Sequence, residues 1–417
     1  MAKLNIRDLR PGMKLADDVV GNNGRLLLVK GSIFDEKQLR VLNIWGVTEV
    51  DIQGVDKGDV EEAIRAELDD EVLAVCESHV RSIFGAVGLD DEFTAELFRV
   101  SVQWYARMIQ GGIPLQNGAH HTTREQISIV ADACIETTVP SMTKIISKGQ
   151  KVISLPAAYF RIVEALKNPY CSSGYLANII DKDIGLSARL LKVVNSPVYG
   201  LSKRVDSIAR SITIVGFKEL SELVLGVSVV GMFSSACTNV LNMRDFWKHS
   251  LSCGIVAKIL ASHRPGVSEE RMFVAGMLHD IGRLTMLMTF PGSLGSVIQL
   301  ARDNTFPLHE VELTQFGFTH ADIGGELLRG WRLPSALVDV IRHHHTPALA
   351  ENPREASLLC VADCMVTAFQ FGSSGNSYLP HVTNEVWESL GMPLSVLDTV
   401  RNQAERQLSE TVRAFFE

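Results

Sequence analysis

Two groups able to share a cation stand side by side in Met277-Leu278-His279-Asp280-Ile281-Gly282-Arg283-Leu284. An imidazole beside a carboxylate can ligate or bridge a divalent ion, but a lone His-Asp pair is common in proteins that bind none. The polar residues set into other apolar stretches sharpen the reading. His249 lies in DFWKHSLSCGIVAKIL, with Trp247, Leu251 and Ile255 around it. His320 opens FTHADIGGELL, and His344 and His345 close LPSALVDVIRHHH. Asp363 sits within SLLCVADCMVTAF, where an unpaired carboxylate would be costly to bury. Buried ionisable groups need partners or a metal, so these stretches are expected to meet at one site.

Helices must position these groups. Phe273, Val274, Met277 and Leu278 make the buried face of a helix expected from about Ser268, with Glu269 and Glu270 suiting its positive end. Gly282 lets the backbone turn after the His-Asp pair. Gly324 and Gly325 permit close packing of the helix that follows His320. Helical periods fill the chain from Val139 to about His345. Pro156 suits a first turn before Ala157–Leu166, Ser173 can cap the next helix, and Leu186, Leu190, Leu191 and Val194 share one face of Ile184–Val194. Ser207–Val215 and the nearly all-apolar Glu219–Phe233 add two more.

The first fifty-odd residues read differently. Met13–Val20 and Leu26–Val29 are expected as strands around a Gly21–Gly24 hairpin, followed by a short helix carrying Phe34, Leu39, Leu42 and Ile44 and a strand over Val47–Ile52. Asp17-Asp18 fits a solvated hairpin edge. Gly54–Gly58 is a linker, and helical periods dominate from about Val60 to Glu136, punctuated at Gln110–Pro114 and Asn117-Gly118. The exposed-looking helices between Val60 and Gln110 suit either a homodimer contact or packing within the chain. The expected fold is mainly α: an all-helical bundle with a small N-terminal α/β domain. Its parts are 1–55, a helical connector 56–138, the helical domain 139–347 and a C-terminal helical extension 348–417.

The chain of 417 residues is long enough for two or three domains. Its net charge of −8 argues against a broad basic surface for nucleic acid but not against a local phosphate pocket. Seven scattered cysteines with no CxxC spacing suggest neither a disulfide frame nor a zinc knuckle, and Cys360 and Cys364 read as buried thiols. The N-terminus lacks an apolar core of signal-peptide length. The most apolar run, Leu223–Phe233, is too short to span a bilayer. The expectation is a cytoplasmic protein with no membrane span.

The His…His-Asp…Asp pattern resembles the HD superfamily of metal-dependent phosphohydrolases. The preceding segment is similar to the HDOD family through Leu155-Pro156, Ile180-Asp181-Lys182-Asp183, Asn195-Ser196-Pro197-Val198-Tyr199-Gly200, Ser207-Ile208 and Ile214-Val215-Gly216. Together with the histidines and aspartates that follow, those markers cover about 200 residues. LRPGMKLADDV, NGRLLLVKG and LRVLNIWGVTEV resemble a small domain found ahead of HD-GYP and HDOD modules. The resemblance implies an all-helical bacterial signalling module with signalling protein partners and a nucleotide or cyclic dinucleotide ligand. Carried onto this chain, the ligand pattern falls on His249, His279, Asp280 and Asp363, and the related HD-GYP family adds His320, His344 and His345 at a second position. Asp245, one turn before His249, takes the place of a further carboxylate, since i and i+4 share a helix face. One or two divalent ions are implied, and imidazole with carboxylate favours iron, manganese, nickel or zinc over calcium. Asp280 and Arg283 would then serve phosphoester hydrolysis, with Arg283 standing where HD-GYP has lysine and supplying charge to a phosphate oxygen. Thr346-Pro347-Ala348-Leu349-Ala350 follows the histidines where HD-GYP has Gly-Tyr-Pro.

Other roles fit the same residues. Asp245 fits an N-cap as well as a ligand. His320 can cap or pack, and His343 reads as a surface neighbour. Asn195–Gly200 suits packing better than chemistry. His120-His121 reads as loop, and His263 and His309 read as surface. A signalling scaffold in which the HD site is structural is the competing function.

Overall fold

The computed structural model describes residues 2–5, 9, 11–20, 26–35, 38, 42, 49–54, 68–115, 141–152, 157–168, 170–201, 203–233 and 240–416. By compactness the chain forms two units: residues 1–79, 99–115 and 393–399, and residues 80–98, 116–392 and 400–417. In the first, β1 (Ala2–Asn5) pairs antiparallel with β4 (Glu49–Ile52), Ala2 opposite Ile52 and Asn5 opposite Glu49. β2 (Val19–Val20) pairs antiparallel with β3 (Leu26–Leu28). Leu4, Leu9, Leu15, Val19, Phe34, Leu42, Val50 and Ile52 close a small core.

Two readings change here. The strand expected over Met13–Val20 shrinks to Val19–Val20, with isolated bridges Lys14–Ile33 and Leu15–Ile52 before it. The N-terminal strand β1, absent from the sequence reading, supplies the partner of the strand ending at Ile52. The Gly21–Gly24 turn, most of the helix after Phe34, His120-His121, Pro156, Cys134 and Cys237 lie outside the described residues.

Helices make up nearly all the rest: α1 Asp70–Phe84, α2 Glu92–Gln110, α3 Met142–Val152, α4 Ala157–Lys167, α5 Ser173–Asp181, α6 Ile184–Val194, α7 Ile208–Val215 and α8 Phe217–Phe233. There follow α9 Met243–Ser262, α10 Glu269–Leu278, α11 Ile281–Thr289, α12 Pro291–Asn304, α13 Leu308–Phe316, α14 His320–Gly330 and α15 Ser335–Arg342. After a 3-10 turn at Pro347–Leu349 come α16 Pro353–Ala368, α17 Asn384–Leu390 and α18 Val396–Phe416. The chain is mainly α, as expected. Among the described residues no helix is long and apolar enough to cross a membrane.

The helix starts follow local chemistry. Ser172 caps α5 by accepting from Tyr175 N, one residue earlier than the sequence suggested, and Asp183 and Ser207 cap α6 and α7. Asn195 donates to Leu191 O and Val205 O and accepts from Val205 N, which pins the loop after α6. This is the packing role read for that loop.

Glycines set the closest approaches in the second unit. A Cβ on Gly276 would lie 2.4 Å from Gly254 N, so α10 crosses α9 backbone to backbone. A Cβ on Gly282 would lie 1.9 Å from His320 O, which seats α11 against the start of α14.

Candidate metal centre

Those two crossings bring the polar residues of distant stretches together. α9 projects His249 and, one turn later, Cys253. α10 ends at His279, its C-cap, and Asp280 stands at the junction with α11. Although Asp280 holds the N-cap position of α11, its side chain makes no capping bond there. The carboxylate turns into the cluster, close to the positive end of that helix. α16 supplies Asp363 from its buried middle, and α14 opens on His320 behind a Thr319–Asp322 capping box. α15 ends at Arg342, so His344 and His345 lie just past a helix end, where neighbouring side chains can face the same space. Their ring centroids are 4.0 Å apart.

Donor atoms converge in two adjoining groups. In the first, His249 Nε2 is 3.1 Å from Asp363 Oδ1 and 3.5 Å from Asp280 Oδ2. His279 Nε2 is 3.1 Å from the same Asp280 oxygen and 3.7 Å from Asp363 Oδ1. Cys253 Sγ lies 3.6 Å from His249 Nε2 and 4.0 Å from Asp363 Oδ1. In the second, His320 Nε2 is 3.0 Å from Asp280 Oδ1 and 3.3 Å from His345 Nε2. His344 closes the gap between them, its ring centroid 5.1 Å from that of His279 and 5.4 Å from that of His320. Asp280 therefore offers one oxygen to each group.

The outer nitrogens decide which ring atoms face inward. His279 Nδ1 donates to Gly276 O at 2.7 Å, and His344 Nδ1 donates to Ile341 O at 2.7 Å. His320 Nδ1 donates to Glu312 Oε2 at 2.6 Å. Each of these rings is thus held by its outer N–H and presents Nε2 to the interior, the arrangement that orients metal-ligating imidazoles. The inward Nε2 atoms of His279 and His344 are buried; that of His344 makes no hydrogen bond, and that of His279 faces the carboxylates of Asp280 and Asp363. Metal–nitrogen and metal–oxygen bonds of about 2.0–2.2 Å place neighbouring ligand atoms roughly 3 Å apart. The spacing at His249, His279, Asp280 and Asp363 has that size, so these residues fit a divalent ion.

Electrostatics match. Burial pushes the Asp280 carboxyl up, but Arg283, His279 and His320 outweigh it and hold it well below the usual carboxylate range. Burial likewise opposes ionisation of Asp363, and the bonds from His249 and His279 overcome it. Burial lowers His279, yet Asp280 and Asp363 carry it up to about 10. His344, buried beside the positive His279 and His320, falls to about 3. Burial raises the Cys253 thiol, with Asp363 and Asp280 adding to it.

Seven of the residues singled out from sequence thus come together: His249, His279, Asp280, His320, His344, His345 and Asp363. Asp245 is buried one turn before His249 but is not among the converging donors; Asn242 caps α9 by accepting from Arg244 N and Asp245 N. Asp245 O instead accepts from Ser373 N in the loop after α16. Gly372 in that loop has φ +90° and no room for a Cβ, which would meet His249 N at 2.4 Å. Arg283 is fully buried and engaged by protein groups. Its Nη1 donates to Ser374 Oγ at 2.6 Å and lies 3.0 Å from Asp280 Oδ1, Nε donates to Glu312 Oε1 at 3.3 Å, and Nη2 is 2.9 Å from His320 Nδ1.

Three residues were missed. Glu312, wholly buried, accepts from the ring and the backbone N–H of His320 and from Arg283; these cations overcome burial and hold its carboxyl at about 2. Cys253 stands one helical turn from His249, a spacing that could have drawn attention to it. His309, read as surface, stacks on His345 with centroids 3.9 Å apart and planes 7° apart, and burial followed by His320 lowers it to about 4. Its helix reaches the site through contacts that no local pattern encodes. His263, also read as surface, is half-buried at the C-cap of α9. His343 is half-buried and turned toward Asp339, 3.7 Å away.

Comparison with known proteins places this architecture. The family profile described as HDOD domain matches residues 152–347. An uncharacterized protein of Treponema pallidum (strain Nichols) is 26% identical over 270 residues, covering 63% of this chain and 49% of that protein. This chain thus spans about half the length of that relative. The crystal structure of an HDOD domain protein of unknown function from Geobacter sulfurreducens superposes with a TM-score of 0.53 at 22% identity, over 66% of this chain and 97% of its own. A Marinobacter aquaeolei VT8 structure, named provisionally as a signal transduction protein, gives 0.53 at 20% identity, over 70% of this chain and 66% of its own. These structures share the helical fold.

Proposed function

The chain carries an HDOD domain across residues 152–347, and from that premise we propose that it is a signalling protein whose HD site holds a divalent transition metal and hydrolyses a phosphoester. The observation that carries the reading is the convergence of the buried Nε2 atoms of His249 and His279 on the carboxylates of Asp280 and Asp363. His249, His279, Asp280 and Asp363 would hold the ion. Iron, manganese, nickel and zinc suit these donors, and Cys253 beside them favours zinc or iron. Bound there, the ion supplies Lewis acidity toward a phosphoryl oxygen and an activated water.

The chain's own groups do the rest. The Gly276 carbonyl fixes the ring of His279, and Arg283 steadies Asp280 through Oδ1. His309 and His345 are the partly exposed members of the cluster, so substrate would approach from their side. A nucleotide-type phosphoester or phosphodiester is the proposed substrate class.

Metal analysis of the purified protein, with hydrolysis of an aryl phosphate ester and of nucleotide phosphodiesters, tests this. Wild type is expected to carry metal and to turn over, and Asp280→Ala to lose both. One observation favours a second reading: the ligand atoms are buried, as in closed structural metal sites. Metal-loaded protein that hydrolyses none of these esters would establish a non-enzymatic output module.

A further inference from the structure

The second group of donors already contains a cation. Arg283 Nη1 lies 3.0 Å from Asp280 Oδ1, and its Nη2 lies 2.9 Å from Nδ1 and 3.3 Å from Nε2 of His320. Asp280 Oδ1 and His320 Nε2 are the atoms that a second ion would have to share. The guanidinium is locked behind them by Glu312 Oε1 at 3.3 Å and by the oxygens of Ser374, and it is 2% exposed. It therefore has no way to swing out of the cluster without breaking buried bonds.

Charge points the same way. Three buried carboxylates, Asp280, Asp363 and Glu312, face one guanidinium. That leaves at most two negative charges, and fewer with His320 protonated, so a single divalent ion already offsets them. A second divalent ion would leave the buried cluster positive, among imidazoles and within reach of Arg283, and an uncompensated buried charge is strongly unfavourable. Resting on the metal reading above, we infer that Arg283 takes the place of a second metal ion, so that this domain holds one divalent cation, on the side of His249, His279 and Asp363. The histidines of the second group then surround a fixed cation, and Asp280 is divided between a metal and an arginine.

Counting ions decides the matter. Metal-stripped protein dialysed to equilibrium against Mn²⁺ is expected to retain one ion per chain by elemental analysis. Its electron paramagnetic resonance spectrum should be that of an isolated Mn²⁺. Arg283→Met, whose fold is checked by circular dichroism, is expected to retain two ions and to show the spectrum of an exchange-coupled pair. Arg283→Lys keeps the charge on a compact head and is expected to retain one. Two ions in wild type or in Arg283→Lys, or one in folded Arg283→Met, would overturn the inference and leave the metal site intact. No ion in wild type would remove the metal site itself. Should Arg283→Met fail to fold, the wild-type and lysine counts still decide.

Discussion

His279 is the most informative titrating group, because a metal ion and a proton compete for the same nitrogen. Burial alone would lower it, but Asp280 and Asp363 hold it at about 10 in the metal-free chain, so it is an imidazolium at neutral pH. Ligation requires the neutral ring. Metal uptake at pH 7.5 is therefore expected to release about one proton per ion. Titration calorimetry in buffers of different ionisation enthalpy measures this; binding whose heat ignores the buffer would contradict it. A second expectation concerns acid. His344 and His309 fall to about 3 and 4, through burial first and then neighbouring positive histidines. An unfolded chain protonates both near 6.5 while the native one does not, so native stability declines as pH falls from about 6.5 toward 4. Glu312, held at about 2, adds a loss below about 4.5 in the same direction. Urea midpoints of metal-free protein should fall steadily over that range, and a flat profile between pH 6.5 and 5 would count against the buried neutral imidazoles. The histidines and aspartates were legible because a polar residue in an apolar helix stands out. Glu312 was not: Glu310, two residues earlier, is exposed, and only the distant donors of His320 and Arg283 explain why the later one is buried.

Glycine contacts between helices fix the site as firmly as its ligands do. Ile281 opens α11 directly after Asp280, and Gly282 meets the carbonyl of His320, so one contact sets the spacing of two cluster residues. Gly282→Ala would place a carbon where there is none to spare. The strain is expected to reduce stability by about 1–3 kcal/mol and to weaken metal binding by moving Asp280 relative to His320. Denaturant unfolding and metal titration of the same variant measure both; a variant matching wild type in each would show that the two helices can part freely. Gly324 and Gly325 had suggested close packing from sequence alone, and Gly324 indeed lies against Gly282, 3.3 Å from a Cβ position to Gly282 N. Some helix starts were legible to within a residue, since caps are local: Ser172 replaced Ser173, and Ser268 was found in place, whereas α8 begins two residues before Glu219 and Asn242 rather than Asp245 caps α9. The strands were less so. β1 pairs with residues almost fifty positions away, and a short alternation carries no information about a partner that distant.

That strands near the N-terminus give way to helices could be read because hydrophobic period changes along the chain, and that change is written in consecutive residues. The meeting of residues 249, 279–280, 320, 344–345 and 363 could not be read from period. It was an inference from the cost of burying unpaired charge, and the family resemblance supplied the grouping. That physical origin has a consequence for the protein as a whole. The carboxylates and imidazoles of the cluster are held together against desolvation by the second unit, residues 80–98, 116–392 and 400–417, while the β1–β4 pair lies in the first. An ion that binds only the native arrangement stabilises that arrangement by mass action. Metal should therefore slow amide exchange in the segments that carry the ligands, around residues 245–253, 276–284, 341–346 and 360–366, because opening any of them now releases the ion as well. Exchange in residues 2–5 and 49–52 should stay the same. Hydrogen exchange read by mass spectrometry on stripped and reloaded protein makes the comparison. Protection gained at 2–5 and 49–52, or none gained around residue 363, would mean that the ion is bound elsewhere.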